Sequence, residues 1–271
     1  MAIIISCGDK SQYLKLLQWG PLRSYVKSVK KLSSEHFHFF ILINTPFTKS
    51  SNSESYLRIE GDKLKYQGRA KFRSLRKNVD DSITYVFIQA SPGFLGMYES
   101  SWNLIREIKN DFEIILRTNV STYWNPDLLL NLVQGKSSLS EDSIHAKIGN
   151  YTRESDSRIL YPSGSGYIFS TRLIQRLQTH LYPVDLFLPD DVNLGIICQR
   201  IGIELFPIER ADINSIATLF QALRKYDSIL QFRVRSTFRK TRLRSDFIYM
   251  LILHLRYLVS RFCRLRRKFN S

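Results

Sequence analysis

The sequence predicts an α/β fold with a largely parallel central sheet, and three observations support this class. Short apolar runs typical of buried strands alternate with longer segments of helical periodicity. Polar stretches containing glycine, proline or serine separate these segments. The composition of the 271 residues, 44% hydrophobic and 24% charged, is globular and excludes disordered, collagen-like and coiled-coil chains. Strands that alternate with helices favour parallel pairing within one sheet.

The predicted strands are apolar runs bounded by turn residues. They are Ala2–Ser6, Phe37–Ile43, Thr84–Gln89, Phe112–Arg117, Gly166–Ser170 and Gly202–Pro207, with a short hairpin over Tyr56–Leu64. The predicted helices carry apolar residues at three- and four-residue spacing. They are Tyr13–Lys31, Leu95–Lys109, Asp127–Val133, Thr171–Leu181 and Asp190–Ile201. Two Ser-rich segments, Thr48–Ser55 and Lys136–Ser143, are predicted to be loops.

The net charge of +16 is unevenly distributed along the chain. Residues 224–271 hold 14 Lys and Arg against two acidic residues, a net charge of +12, whereas residues 1–223 hold 26 against 22, a net charge of +4. We therefore predict a domain over residues 1–223 and a basic amphipathic helical tail over residues 224–271. Because a nucleic-acid-binding domain spreads its basic face across the fold, and because no nucleic-acid motif is present, we expect no nucleic-acid partner.

The tail carries a continuous apolar stripe at helical spacing. Its members are Ile248, Leu251, Leu255, Leu258, Phe262, Leu265 and Phe269. One interpretation is a helix packed on the domain with its cations in solvent. The other, which we favour, is an interfacial helix on an anionic membrane surface, where each cation near the surface adds about 1 kcal/mol.

The cysteines indicate a reducing compartment. Cys7, Cys198 and Cys263 are far apart and form no CxxC pair, and the sequence starts without a recognisable secretory signal. No apolar run is long enough to span a bilayer. We therefore expect a cytoplasmic protein that is peripheral on the inner face of the cell membrane.

Four segments lie where ligands bind in such sheets, at or near strand ends. They are Ser6-Cys7-Gly8, the polar cluster from Arg117 to Pro126, the turn Ser163-Gly164-Ser165-Gly166, and the acidic pair Asp190-Asp191. Each also has a purely structural interpretation. The glycines suit tight loops, Asn125 suits a helix cap, and acids at a helix start favour the macrodipole.

Taken in order, three of these segments resemble one enzyme family. ILRTNVSTYWNP, YPSGSGYIFS and LPDDVNLGII resemble motifs of the fringe-like and related β-1,3-galactosyl- and N-acetylglucosaminyltransferases, over about residues 85–210. Small bacterial or viral relatives with an RTN-x-S cluster are more similar still. The resemblance implies a GT-A (Rossmann-like) fold and an inverting hexosyltransferase. Such an enzyme moves a sugar from a nucleotide-sugar donor, expected to be a UDP-sugar, to a glycan or lipid-linked acceptor in surface polysaccharide synthesis.

The resemblance also implies roles for individual residues. The general base would be Asp191, with Asp190 as the second choice, because an inverting transfer needs a carboxylate near the acceptor hydroxyl. Sugar and acceptor would contact Ser163, Gly164, Ser165 and Gly166, with Trp124 available for stacking. We predict donor contacts from Ser6, Cys7, Gly8, Arg117, Asn119, Ser121, Arg233 and Arg235.

The metal motif of the family is altered here. Its acidic cluster normally binds Mn²⁺, but Asn119, Val120 and Ser121 occupy the matching positions. One possibility is Mn²⁺ or Mg²⁺ held weakly through Asn119 and water. A second is metal-independent catalysis, with arginines taking over the role of the cation. A third is a catalytically inactive GT-A-fold sugar-binding or scaffold protein.

Overall fold

The computed structural model describes residues 1–7, 25–26, 28–29, 37–45, 56–60, 63–67, 83–89, 93–135, 142–152, 158–181, 188–235 and 242–269. The chain divides into two compact units. Unit 1 comprises Met1–Lys10, His36–Asn119 and Ser137–Ile208, and unit 2 comprises Ser11–Glu35, Val120–Lys136 and Glu209–Ser271. The domain boundary predicted at residue 223 lies where the charge distribution along the sequence changes, whereas the two units are defined by contacts between residues. The predicted boundary stays a prediction.

The strands have the following bounds. They are β1 (Ala2–Cys7), β2 (His38–Thr45), β3 (Tyr56–Glu60), β4 (Lys63–Gln67), β5 (Ile83–Gln89), β6 (Ile114–Asn119), β7 (Thr122–Trp124), β8 (Ser143–Thr152), β9 (Arg158–Ser170), β10 (Glu204–Pro207), β11 (Arg210–Ile213) and β12 (Gln231–Val234). The helices are α1 (Gly93–Ile108), α2 (Pro126–Gln134), α3 (Arg172–Gln178), α4 (Asp190–Ile201), α5 (Ile216–Arg224) and α6 (Arg242–Phe269).

Unit 1 is built around a seven-stranded sheet of order β10-β8-β9-β6-β1-β2-β5. Strand β1 pairs in parallel with β2 and β6, β2 with β5, and β8 with β10. Strand β9 runs antiparallel to both β6 and β8. The predicted α/β class, a mostly parallel sheet flanked by helices, is confirmed by this arrangement.

The core of unit 1 follows from its near-continuous apolar strands. Both faces of β1 are covered, since Ile3, Ile4 and Ile5 are at most 2% exposed. Helix α1 packs against β1 and β2 and places Trp102 with its ring centroid 5.9 Å from that of Phe169. Burial of these large side chains supplies the main driving force for assembling this unit.

Unit 2 combines the three-stranded sheet β11-β12-β7 with α2, α5 and α6. Its interior holds an aromatic cluster in which Tyr25 and His254 lie 5.1 and 6.3 Å from the Tyr123 ring, centroid to centroid. His254 is 1% exposed, and burial lowers its pKa to about 4. The helix α2 begins at Pro126, one residue before its predicted start, and the Asn125 side chain accepts the Asp127 backbone N–H.

The largest difference from the predicted elements lies in β9. The predicted Gly-rich turn before Gly166 is part of this strand, whose thirteen residues pair with β8 and β6. Strands β7, β8, β11 and β12 were also not predicted, because short or alternating polar sequences carry little apolar signal. The sequence offers Thr171 or Ser170 as the cap of the following helix. The Thr171 hydroxyl donates to the Glu113 carbonyl, whereas the Ser170 hydroxyl accepts the backbone N–H of Arg172 at 3.3 Å.

Several predicted segments lie largely or wholly outside the described residues. They are the helix Tyr13–Lys31, of which residues 25, 26, 28 and 29 are described as helical, the loop Thr48–Ser55 and most of the loop Lys136–Ser143. The remaining predicted strands and helices agree with the structure to within a few residues, and α4 has the predicted bounds.

Candidate functional site

The candidate site lies in unit 1, at the edge of the sheet where β1 and β6 end. Ser6 is paired in register with Asn119, and Thr118 with Gly166 of the antiparallel β9. Because β9 runs in the opposite direction, its first half reaches the edge where β6 ends. The Ser6 hydroxyl is buried and has no hydrogen-bond partner among the described residues.

Arg117 lies within the protein rather than in solvent. Its side chain is 1% exposed, and one guanidinium nitrogen donates to the Gly164 carbonyl at 2.8 Å. The other terminal nitrogen donates to Asp190 Oδ2, also at 2.8 Å. The guanidinium lies 5.7 Å from the ring centroid of Tyr167, its partner across the β6–β9 ladder. Burial lowers the pKa of Arg117, but Asp190, Tyr167 and Asp191 together raise it, so the guanidinium stays charged.

The backbone of Gly164 joins three elements. Its carbonyl accepts both Arg117 and the Asn119 side-chain amide, the latter at 3.2 Å. Its N–H donates to Asp191 Oδ2 at 2.8 Å. A Cβ atom at this position would lie 3.1 Å from the same carboxylate oxygen. The close approach of α4 to β9 therefore favours glycine here.

The two carboxylates begin α4 and have different surroundings. Asp190 is held by Arg117, whereas Asp191 accepts the N–H groups of Gly164 and Val192. Burial, and after it the charge of Asp190, raises the pKa of the Asp191 carboxyl, while the Gly164 N–H and Arg117 act in the opposite direction. A half-buried carboxylate with a raised pKa is a stronger base than one in water.

Helix α4 is positioned by close backbone packing. A Cβ atom on Gly195 would lie 2.5 Å from the Leu160 carbonyl oxygen, so α4 approaches β9 more closely than any larger residue allows. The sequence prediction treated Gly195 only as part of a motif and missed this role. Thr118 was missed as well; its hydroxyl donates to the Ser165 carbonyl at 2.9 Å. Side-chain alternation along β6 does place Arg117 and Asn119 on one face, and this signal was available in the sequence.

The residues at the end of β6 do not fit a divalent cation. Asn119 offers one amide oxygen, and the two residues that follow carry no carboxylate. Asp190 is already bonded to the Arg117 guanidinium, whose positive charge opposes a second cation beside it. Among the described residues, no three His, Cys, Asp or Glu side chains are grouped to hold a metal. The expected weak Mn²⁺ or Mg²⁺ site at Asn119 stays a prediction that this donor set does not favour.

The predicted donor contact of Arg117 stays a prediction, and the geometry of its side chain does not favour it. A guanidinium that is 1% exposed and bonded to Gly164 and Asp190 positions these groups rather than a diphosphate in solvent. Ser163 and Ser165 lie in β9 beside this network, with their hydroxyls 3.2 Å apart. Unit 1 thus brings together seven predicted site residues: Arg117, Asn119, Ser163, Gly164, Ser165, Asp190 and Asp191. Gly166 and Ser6 are buried neighbours in the same sheet.

The other predicted site residues are distributed differently. Ser121, Trp124, Arg233 and Arg235 belong to unit 2. Trp124 is 1% exposed, so its ring is a core group and not an open stacking platform for a sugar. Arg233 is half-buried in β12, and Arg235 is exposed.

Two of the predicted donor contacts follow β1. Cys7 is the last residue of that strand. Gly8 lies outside the described residues.

No protein-family model matches the sequence, and no curated protein is significantly similar to it. Among the solved structures that are similar to this chain, two illustrate the low identity. One is a glycosyltransferase involved in the glycosylation of the major capsid of PBCV-1, with 11% identity over 92% of this chain and 98% of the other, at a TM-score of 0.45. The second is 4-diphosphocytidyl-2C-methyl-D-erythritol synthase from Anaerococcus prevotii DSM 20548, with 11% identity over 76% and 85%, also at 0.45. These values are too low to establish a common activity, so the α/β assignment depends on the observed sheet.

Proposed function

We propose that the protein is an inverting glycosyltransferase that uses a nucleotide-sugar donor and a glycan or lipid-linked acceptor. The observation that supports this most directly is the Arg117–Gly164–Asp191 network. It holds a carboxylate of raised pKa at the sheet edge where α/β proteins bind ligands. The motif resemblance also gives Asp191 the role of general base.

In the proposed reaction, the acceptor hydroxyl oxygen attacks the anomeric carbon of the donor from the face opposite the diphosphate. The bond from that carbon to the diphosphate oxygen breaks, and its electron pair leaves with the nucleotide. Asp191 takes the hydroxyl proton as the new glycosidic bond forms. Asp190 is bonded to Arg117, and its charge adds to burial in raising the pKa of Asp191.

The first experiment measures nucleotide binding. Calorimetry and thermal-shift assays with UDP, GDP, CMP and UDP-sugars, each with Mn²⁺ and with EDTA, identify the donor class. We expect binding that survives EDTA, because the end of β6 lacks carboxylates. Absence of binding to every nucleotide under both conditions would refute the transferase proposal.

The second experiment tests the base. Asp191→Asn removes the proton acceptor but keeps an oxygen that can accept the Gly164 N–H. We expect kcat to fall by about 10²–10⁴-fold with little change in donor affinity. Asp142→Asn is the matched control, since Asp142 is 59% exposed and pairs with Arg176. Full activity in the Asp191 variant would eliminate this residue as the base.

A catalytically inactive sugar-binding or scaffold protein remains the second candidate. The specific observation in its favour is that Asn119 and the two residues after it carry no carboxylate. This candidate function predicts that nucleotide-sugars bind without turnover. It also predicts that Asp191→Asn leaves the affinity for nucleotide-sugars unchanged.

A further inference from the structure

Helix α6 of unit 2 has two opposite apolar faces. One is buried in unit 2 and includes Tyr249, Leu253 and Tyr257, each at most 5% exposed. The other contains six apolar residues that are 36–68% exposed: Ile248, Leu251, Leu255, Leu258, Val259 and Phe262. The first five residues of the stripe identified in the sequence, Ile248 to Phe262, lie on this exposed face, so packing within unit 2 does not account for them.

Helix α5 extends this exposed surface. Its residues Ile216 and Phe220, one turn apart, are 62% and 60% exposed. Together with Ile248 and Ile252 of α6 they line an apolar groove of about 410 Å³ between the two helices. The α5–α6 surface, meaning the exposed apolar residues of these two helices and the groove between them, is therefore continuous.

The charge beside this surface indicates its partner. Residues 224–271 carry a net charge of +12, and the C-terminal end of α6 contains Arg264, Arg266, Arg267 and Lys268 in its sequence. An apolar helix face next to a concentrated positive charge is complementary to an anionic bilayer, which offers acyl chains below a negative headgroup layer. Among the described residues, no helix is long and apolar enough to cross a membrane.

We infer that the α5–α6 surface of unit 2 docks on an anionic lipid bilayer, with the side chains of both helices inserted at the headgroup boundary. The α6 helix, 28 residues long, extends over about 42 Å in the plane of the interface. Vesicle binding requires no sugar donor, so a failure of this inference can be distinguished from a failure of the proposed transfer reaction.

The test is co-sedimentation of the full chain with vesicles of phosphatidylcholine, alone or with about 30% phosphatidylglycerol. We expect binding to the anionic vesicles and much weaker binding to the neutral ones. The variant Leu255→Gln/Phe262→Gln should lower the partition coefficient about tenfold or more, because two inserted side chains lose their apolar contact. Ile216→Gln/Phe220→Gln should lower it as well.

The matched control is Leu160→Gln, which removes an apolar side chain of 44% exposure from unit 1 and should leave binding unchanged. Equal binding to neutral and anionic vesicles, or unchanged binding of either double variant, would overturn the inference. Light scattering without vesicles tests whether a second copy of the chain occupies this surface instead. A dimer that Leu255→Gln/Phe262→Gln converts to a monomer would make this surface an interface between two copies of the chain.

Discussion

Arg117→Met offers the sharpest test of how the candidate site is held together. The substitution keeps an unbranched, shorter side chain at this buried position but removes the charge and all donors. Asp190 then loses its ion-pair partner, and the Gly164 carbonyl retains only the Asn119 amide at 3.2 Å.

The expected magnitude follows from burial. Removing one partner of a buried ion pair costs about 3–5 kcal/mol, because the other charge is left uncompensated. Asp190 is 14% exposed and can recover part of its hydration, which places the expected loss near the lower end, at about 3 kcal/mol. The Arg176–Asp142 pair is 42% and 59% exposed, so Arg176→Met should cost only about 1 kcal/mol.

Urea unfolding followed by tryptophan fluorescence measures both variants, and hydrogen exchange over β6 and β9 locates the change. A double-mutant cycle with Asp190→Asn should show that the double variant loses little more than Arg117→Met alone, since the unpaired charge is gone. If Arg117→Met costs no more than Arg176→Met, the ion pair does not hold the site and our reasoning is refuted.

Three further predictions concern pH and packing. The raised pKa of Asp191 means that the folded state binds the Asp191 proton more tightly than the unfolded state does. The free energy of unfolding should therefore fall as pH rises above 3.8. Urea unfolding of Asp191→Asn at a series of pH values should lack this decline. For His254 the sign is opposite: lowering the pKa from 6.5 to about 4 favours the neutral form, so acidification through this window should cost up to about 3 kcal/mol, and His254→Phe should flatten the curve measured by urea unfolding. Gly195→Ala should destabilise unit 1 by about 2–3 kcal/mol in thermal unfolding, since its Cβ would meet the Leu160 carbonyl. Gly202→Ala, with a φ of 68° but open space, should cost only about 1 kcal/mol, and equal losses would contradict the packing argument.

The elements predicted correctly are those with a strong local signal. Strand β1 is a continuous apolar run, and α4 is bounded by Pro189 and Gly202, a helix start and a left-handed C-cap. The hairpin β3–β4 was predicted from the turn pair Gly61-Asp62 in the sequence. By contrast, the first half of β9 is rich in serine and glycine, and only pairing with β8 and β6 makes it a strand.

The residues of the candidate site could be predicted from the sequence, but the hydrogen bonds and the ion pair between them could not. Positions at strand ends and the motif resemblance indicated Arg117, Asn119, Gly164 and the acidic pair, and the fold brings them together. The sequence could not reveal that Arg117 is directed inward, because burial of an arginine depends on partners from distant segments. Trp124 shows the reverse case, in which an aromatic residue expected at a binding surface is part of the core of unit 2.

The Arg117 contacts also bear on how unit 1 folds. Its hydrogen-bond partners lie 47 and 73 residues further along the chain, in two different elements. Before β9 and α4 have both docked, the guanidinium must keep its water, since losing that water without the partners is costly. Pairing of β6 with β9 and arrival of α4 are therefore energetically coupled, and such long-range closure slows folding. In a refolding reaction, the Arg117 contacts should form together with the last of these docking steps rather than with the first appearance of the sheet.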